Sequence, residues 1–131
     1  MPHVGMEESA VVRSTQKGTT DRAGPCVVIV VQDAISDAVL AHFFDWPSSQ
    51  ELAKFQADVK QLGHSCRATL IGCAPTHGYK VDIKEALERR IRCCDELKKM
   101  SIDVVATHWN DSPKVNVDVV LSGGVIQWRV V

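Results

Sequence analysis

No apolar stretch in the 131 residues approaches the length of a membrane span, so nothing in the sequence predicts a bilayer-crossing helix. The opening run, Met1 to Thr20, is polar and lacks the apolar centre of a secretory signal, and no secretory leader is expected. A strong charge of either sign is also missing. The formal net charge of −1 leaves no global basic field of the kind that attracts nucleic acid. The cysteine count is odd, at five, and Cys93 and Cys94 are adjacent. Both features argue against a disulfide framework and for a reducing compartment. No internal repeat or low-complexity tract is present.

What is there suits one core. A chain of this length buries roughly two-thirds of its unfolded surface and needs no covalent staple. Residues 1–8 carry no periodicity and are expected to be a flexible N-terminus, with a single domain over residues 9–131. Ala10–Ser14 reads as a short edge strand and Gln16–Thr20 as a turn. Cys26–Val31 is a β-branched apolar run bounded by Gly24 and Pro25, which predicts a buried strand. After a turn at Asp33–Asp37, Ala38–Phe44 reads as a second strand, with a helix as the alternative. Ser48 and Glu51 form a capping box, and Leu52, Phe55, Val59 and Leu62 recur at helical spacing until Gly63. Ala68–Ile71 is a strand leading into the turn Gly72–Pro75. Asp82 with Glu85 forms a second capping box, and Ile83, Leu87, Ile91, Cys94 and Leu97 predict the buried stripe of a second helix. Its charged run Glu88–Arg90 reads as a solvated face. Ile102–Thr107 is a strand, and a hairpin from Val115 to Leu121 and Val125 to Val131 turns at Ser122–Gly124. The order predicts an α+β fold with a mixed, largely antiparallel sheet and two long helices.

The residues that carry chemistry lie early. Cys26 stands at the mouth of its strand. If the next segment pairs back on it, His42 returns beside Cys26, and Thr20 shares that strand end. A thiol, an imidazole and a hydroxyl make a minimal kit for nucleophilic catalysis by cysteine. Taken singly, Cys26 reads as core, His42 as a satisfied core histidine and Thr20 as a turn residue; only the combination points to catalysis.

The spacing Thr20-Asp-Arg-Ala-Gly24-Pro25-Cys26, then a strand, then Ala41-His42-Phe43, resembles the chemoreceptor glutamine deamidases (CheD). The succeeding elements follow that family's order from about Ala10 to Val131. The same cysteine–histidine core is similar to the catalytic domains of cytotoxic necrotizing factor-like toxins. Pro25 stands where the family has serine, Gly72-Cys73 replaces a glycine pair, and a substrate-side asparagine is missing from Val81–Glu85. After Ile102–Thr107 the family's glycine pair is replaced by His108–Asp111. These departures bear on the substrate and leave the Thr–Cys–His set untouched.

The resemblance implies a protein-glutamine deamidase with Cys26 as nucleophile, His42 as base and Thr20 as the third catalytic residue. The thioester intermediate is hydrolysed by water. Gly24 and Pro25 are the substrate or oxyanion-binding turn. No cofactor and no metal are expected. The implied partner is a protein carrying the target glutamine, not a nucleic acid or a membrane, and the chain is expected to be a monomer. It would work in the cytoplasm, or be delivered into a host cytosol as an effector. The Cys26 sulfur should lie roughly 3–4 Å from a His42 ring nitrogen. A different class of reading is a non-catalytic protein-binding module on the same fold. Cys73 and His77, with His64 and Cys66, raise a zinc module, although the spacings fit no familiar zinc pattern. Cys94 is expected to pack on the apolar helix face, and His108 and Trp109 to cap a strand or touch substrate.

Overall fold

Val27–Gln32 is buried along its whole length, and so is Ala38–Phe43. Strands this apolar need a covering layer on each side. The computed structural model describes residues 2–77, 79–112 and 116–131, and it supplies both layers. In chain order the elements are β1 (Glu8–Val12), β2 (Lys17–Thr20), β3 (Val27–Gln32), β4 (Ala38–Phe43), α1 (Ser49–Lys60), β5 (Arg67–Gly72), α2 (Lys80–Lys99), β6 (Asp103–Trp109), β7 (Val117–Ser122) and β8 (Val125–Val130).

The central sheet runs β1-β4-β3-β5-β6 and the second sheet β2-β7-β8. All pairings are antiparallel except β5 with β6, which are parallel and joined through α2 as such a crossover requires. The fold is therefore α+β with a mixed, mostly antiparallel sheet and two helices, as expected. On one face of the central sheet, Val27, Ile29, Val31, Ala41 and Phe43 pack with Phe55 of α1 and with Cys93 and Leu97 of α2. On the other, Cys26, Val28, Val30 and Leu40 meet Val117, Val119 and Leu121 of the second sheet. Alternation along β3 and β4 sorts the side chains between these two cores. Phe55 meets Phe43 and Trp46 edge-on at 5.7 and 5.8 Å between ring centres, and burying its ring contributes about 1.5–3 kcal/mol.

Several expectations need correction. Lys17–Thr20 is a strand, not a turn; its partner is β7, with Thr20 opposite Val119, so no local signal could announce it. The N-terminal run expected to be flexible is tied down: Val4 is buried and its N–H donates to the Thr19 carbonyl, while the Glu7 N–H donates to that of His42. Neither capping box forms. Ser48 caps α1 and Tyr79 caps α2 without a side-chain hydrogen bond, and α2 begins at Lys80, ahead of Asp82. Helix α2 is also turned from its expected face. Ile83, Leu87 and Ile91 are exposed, whereas Ala86, Arg89, Arg90, Cys93 and Leu97 face the sheet. Ala86 and Cys93 are small enough for close approach, and the two arginines find carbonyl partners at the strand ends. Cys93, rather than the half-buried Cys94, is the core thiol of this helix. The closing hairpin forms, turning at Gly123 and Gly124 with φ of 57° and 79°, the pair of positive values that a tight hairpin turn asks for. Val115, its expected first residue, lies outside the described residues.

Candidate active site

Register builds the site. Val28 of β3 stands opposite His42 of β4. Cys26 comes two residues before Val28, so it lies on the same face as His42 and one diagonal step away. That face looks toward the second sheet, where β2 ends at Thr20. All three side chains are buried: Cys26 is 4% exposed, His42 3% and Thr20 1%. The three residues that the sequence singles out are therefore gathered in one layer between the sheets.

The hydrogen bonds around Thr20 settle the state of the imidazole. The Thr20 hydroxyl donates to the Val4 carbonyl at 2.6 Å, and its oxygen is 2.8 Å from His42 Nδ1. A hydroxyl has one proton to give. With that proton on Val4, Thr20 must accept from Nδ1–H, so neutral His42 carries its proton on Nδ1 and a bare lone pair on Nε2. His42 Nε2 is buried and has no hydrogen-bond partner. Burial holds the His42 pKa below the ordinary value, against a favourable pull from the Asp21 carboxylate, while His3 reinforces the lowering. The ring is thus a neutral base held in one tautomer with its basic nitrogen unoccupied.

The sulfur does not occupy it. No thiol–imidazole hydrogen bond is made, since Nε2 has no partner. Burial pushes the Cys26 thiol up to about 11, with Glu7 acting in the same direction and Arg89 opposing it. The Cys26 thiol therefore rests protonated rather than as a preformed thiolate.

The turn before β3 is held through its carbonyls. Gly24 O accepts from Ala74 N–H at 3.2 Å, Cys26 O from Cys73 N–H at 2.8 Å, and Pro25 O from Arg89 Nη1 at 2.7 Å. Gly72 sits against this turn at a φ of 93°, and a Cβ there would come within 2.8 Å of the Cys26 oxygen, so only glycine fits. Pro25 has no N–H and cannot donate to an oxyanion. Its role is conformational, which leaves the N–H groups of Gly24 and Cys26 as candidate oxyanion donors.

Three contributors escaped the sequence reading: the Val4 carbonyl, Glu7 and Arg89. Nothing in a short polar N-terminus marks a backbone carbonyl as a tautomer-setting acceptor. Arg89 belongs to the run read as a solvated face, yet it is 2% exposed. The spacing Ala86, Arg89, Cys93, Leu97 was the available signal, and the bulkier stripe beside it obscured it. A groove of about 390 Å³, lined among others by His3, Thr19, Thr20, Asp21 and Trp128, opens at the Thr20 end of the set.

The remaining candidates do not join the Thr20, Cys26 and His42 set. His77 is exposed and faces Asp82 at 3.4 Å. Cys73 is buried, with its sulfur 3.5 Å from Arg89 Nη1. His108 stacks on Trp128 with 5.1 Å between ring centres, and Trp109 lies beneath the Arg90 guanidinium. No family model matches the chain, and no curated protein matches it.

Proposed function

We propose that this chain is a cysteine-dependent amidohydrolase that converts a glutamine side chain of another protein to glutamate, releasing ammonia and using no cofactor. The observation that carries the reading is the free Nε2 of His42, made basic by a Thr20 hydroxyl whose own proton is committed to Val4. The resemblance of the Thr20–Cys26 and Ala41–His42 spacing to the glutamine deamidases supplies the substrate class.

Because the thiol rests protonated, its proton leaves as the sulfur attacks the carboxamide carbon, and His42 Nε2 receives it. The developing oxyanion is met by N–H groups of the Gly24–Cys26 turn. The imidazolium keeps its Nδ1–H on Thr20 and is favoured by Asp21. It returns the Nε2 proton to the departing nitrogen, so ammonia leaves and a thioester remains. Water, deprotonated by the same nitrogen, cleaves the thioester to glutamate and regenerates the thiol. Thr20 holds the ring in the working tautomer, as the third member of such a set does.

A second reading is a non-catalytic module that binds a partner protein. The deep burial of Cys26, with the thiol pushed up to about 11, favours it. One experiment separates the two. Candidate target proteins are incubated with the chain and with its Cys26→Ser variant, and glutamine-to-glutamate conversion is followed by peptide mass mapping. Conversion by the native chain alone supports the hydrolase. Partner capture by both proteins without conversion supports the module.

A further inference from the structure

Helix α2 carries a cation into the core, where carbonyl oxygens rather than a close carboxylate hold it. Arg89 is 2% exposed. Its Nη1 donates to the carbonyl oxygens of Pro25 and Phe44, both at 2.7 Å. Its guanidinium lies 4.3 Å from the centre of the Phe44 ring. Its Nε is buried without a hydrogen-bond partner, and the carboxylate facing it, Glu85, is 4.0 Å away and half exposed. The two carbonyls that Arg89 joins are not arbitrary. Pro25 immediately precedes Cys26, and Phe44 is two residues beyond His42. One guanidinium therefore ties the strand end carrying the thiol to the strand end carrying the imidazole.

Burying an arginine this way is expensive unless the site uses the charge, because carbonyl oxygens satisfy its donors but do not cancel it. We infer that Arg89 is a positioning residue for Cys26: by holding the Pro25 and Phe44 carbonyls together it fixes the turn before the thiol against the end of β4, and so governs how readily Cys26 reacts. The inference rests on Cys26 being the reactive thiol of the proposed hydrolase, but not on the identity of any substrate. The charges felt by that thiol are those of Glu7 and Cys73, which hold its proton on, and of Arg89, which favours its release; the unoccupied Nε2 of His42 belongs to the ring on the thiol's own face of the sheet. Arg89 is the cation of this set. Its neighbour Arg90 braces the next loops instead, donating to the carbonyls of Cys73 and Asn110 and to the Asp111 carboxylate.

The test is the pH profile of Cys26 alkylation by iodoacetamide in the full-length folded protein, followed by mass mapping so that the other four thiols act as internal references. Arg89→Gln keeps an amide donor for a carbonyl and removes the charge. Arg89→Lys keeps the charge. We expect Arg89→Gln to slow Cys26 alkylation at pH 8 roughly tenfold and to move its profile upward, while Arg89→Lys stays close to the native profile and Cys66 is unaffected in both. A Cys26 profile in folded Arg89→Gln that superimposes on the native one overturns the inference. If Arg89→Gln does not fold, Glu85→Gln decides from the surface: removing the carboxylate that faces Arg89 should speed Cys26 alkylation, and an unmoved profile overturns the inference. Failure of the hydrolase reading would appear separately, as an Arg89-dependent thiol in a chain that converts no glutamine.

Discussion

The two faces of the central sheet are equally dry and chemically unlike. On the helix side, Cys93 is fully buried among Phe55, Leu97 and Ile102, and burial pushes its thiol to about 12. On the sheet side, Cys26 is buried almost as deeply and its thiol stands at about 11. Burial and pKa barely separate the two cysteines. What separates them is company. Cys26 shares its face with an imidazole whose basic nitrogen is unoccupied and whose tautomer is set by Thr20. On the proposed reading, what singles out Cys26 is the unsatisfied base on its own face of the sheet rather than its own titration.

The comparison breaks most sharply under a swap of sulfur for oxygen at each site. Cys26→Ser should lower glutamine conversion by about a thousandfold or more with little change in the thermal midpoint, because the hydroxyl is much harder to deprotonate. Cys93→Ser should retain conversion and lose about 1–3 kcal/mol of stability, since it buries a hydroxyl among apolar groups. Conversion assays with denaturant titrations of both variants check this; an active, folded Cys26→Ser would end the distinction.

Next in size is Thr20→Val, which keeps the shape but leaves Val4 O and Nδ1–H without a partner. It should lower kcat by about 10²- to 10³-fold with KM little changed, because the wrong tautomer becomes accessible. Thr20→Ser should restore most of the rate. A loss confined to KM would make Thr20 a binding residue.

The helix side is sharpened through stability alone. Leu97→Ala, in the core, should cost about 2–5 kcal/mol. Smaller is the pH effect of His42. Its folded pKa lies below the ordinary 6.5 because burial disfavours the charged ring. The unfolded chain therefore binds the proton more readily, and stability present above about pH 6.5 is lost as pH falls toward the lowered folded value. Denaturant titrations from pH 7.5 downward should show this loss, and His42→Gln should flatten it. Smallest is Ile91→Lys on the exposed stripe of α2, expected to change stability by no more than about 0.5 kcal/mol. A large loss there would return the helix to the face its apolar stripe suggests.

That stripe shows where the sequence was legible and where it was not. Ile83, Leu87 and Ile91 are the bulkier apolar residues of α2, and periodicity chooses them. The inward face is instead chosen by size and by partners: Ala86 and Cys93 permit close packing, and Arg89 and Arg90 meet carbonyls that exist only once β3, β4, β5 and β6 are side by side. Strand β3 was readable because an unbroken β-branched run admits little else. Strand β2 was not, because the partner that makes it a strand lies in β7.

By itself the sequence determined the buried strand β3, both helices and the closing hairpin, which follow from local pattern, and it singled out Thr20, Cys26 and His42 through their spacing and the resemblance it carries; whether β4 was strand or helix stayed open. Only the tertiary structure decided which nitrogen of His42 is basic. That depends on a hydroxyl from β2 and a carbonyl from Val4 arriving at one ring from separate parts of the chain. It likewise decided that the N-terminal run is held in place and that a helix arginine holds the turn before Cys26. Hydrogen bonds and charges act through space, and folding alone brings residues distant in sequence within their reach.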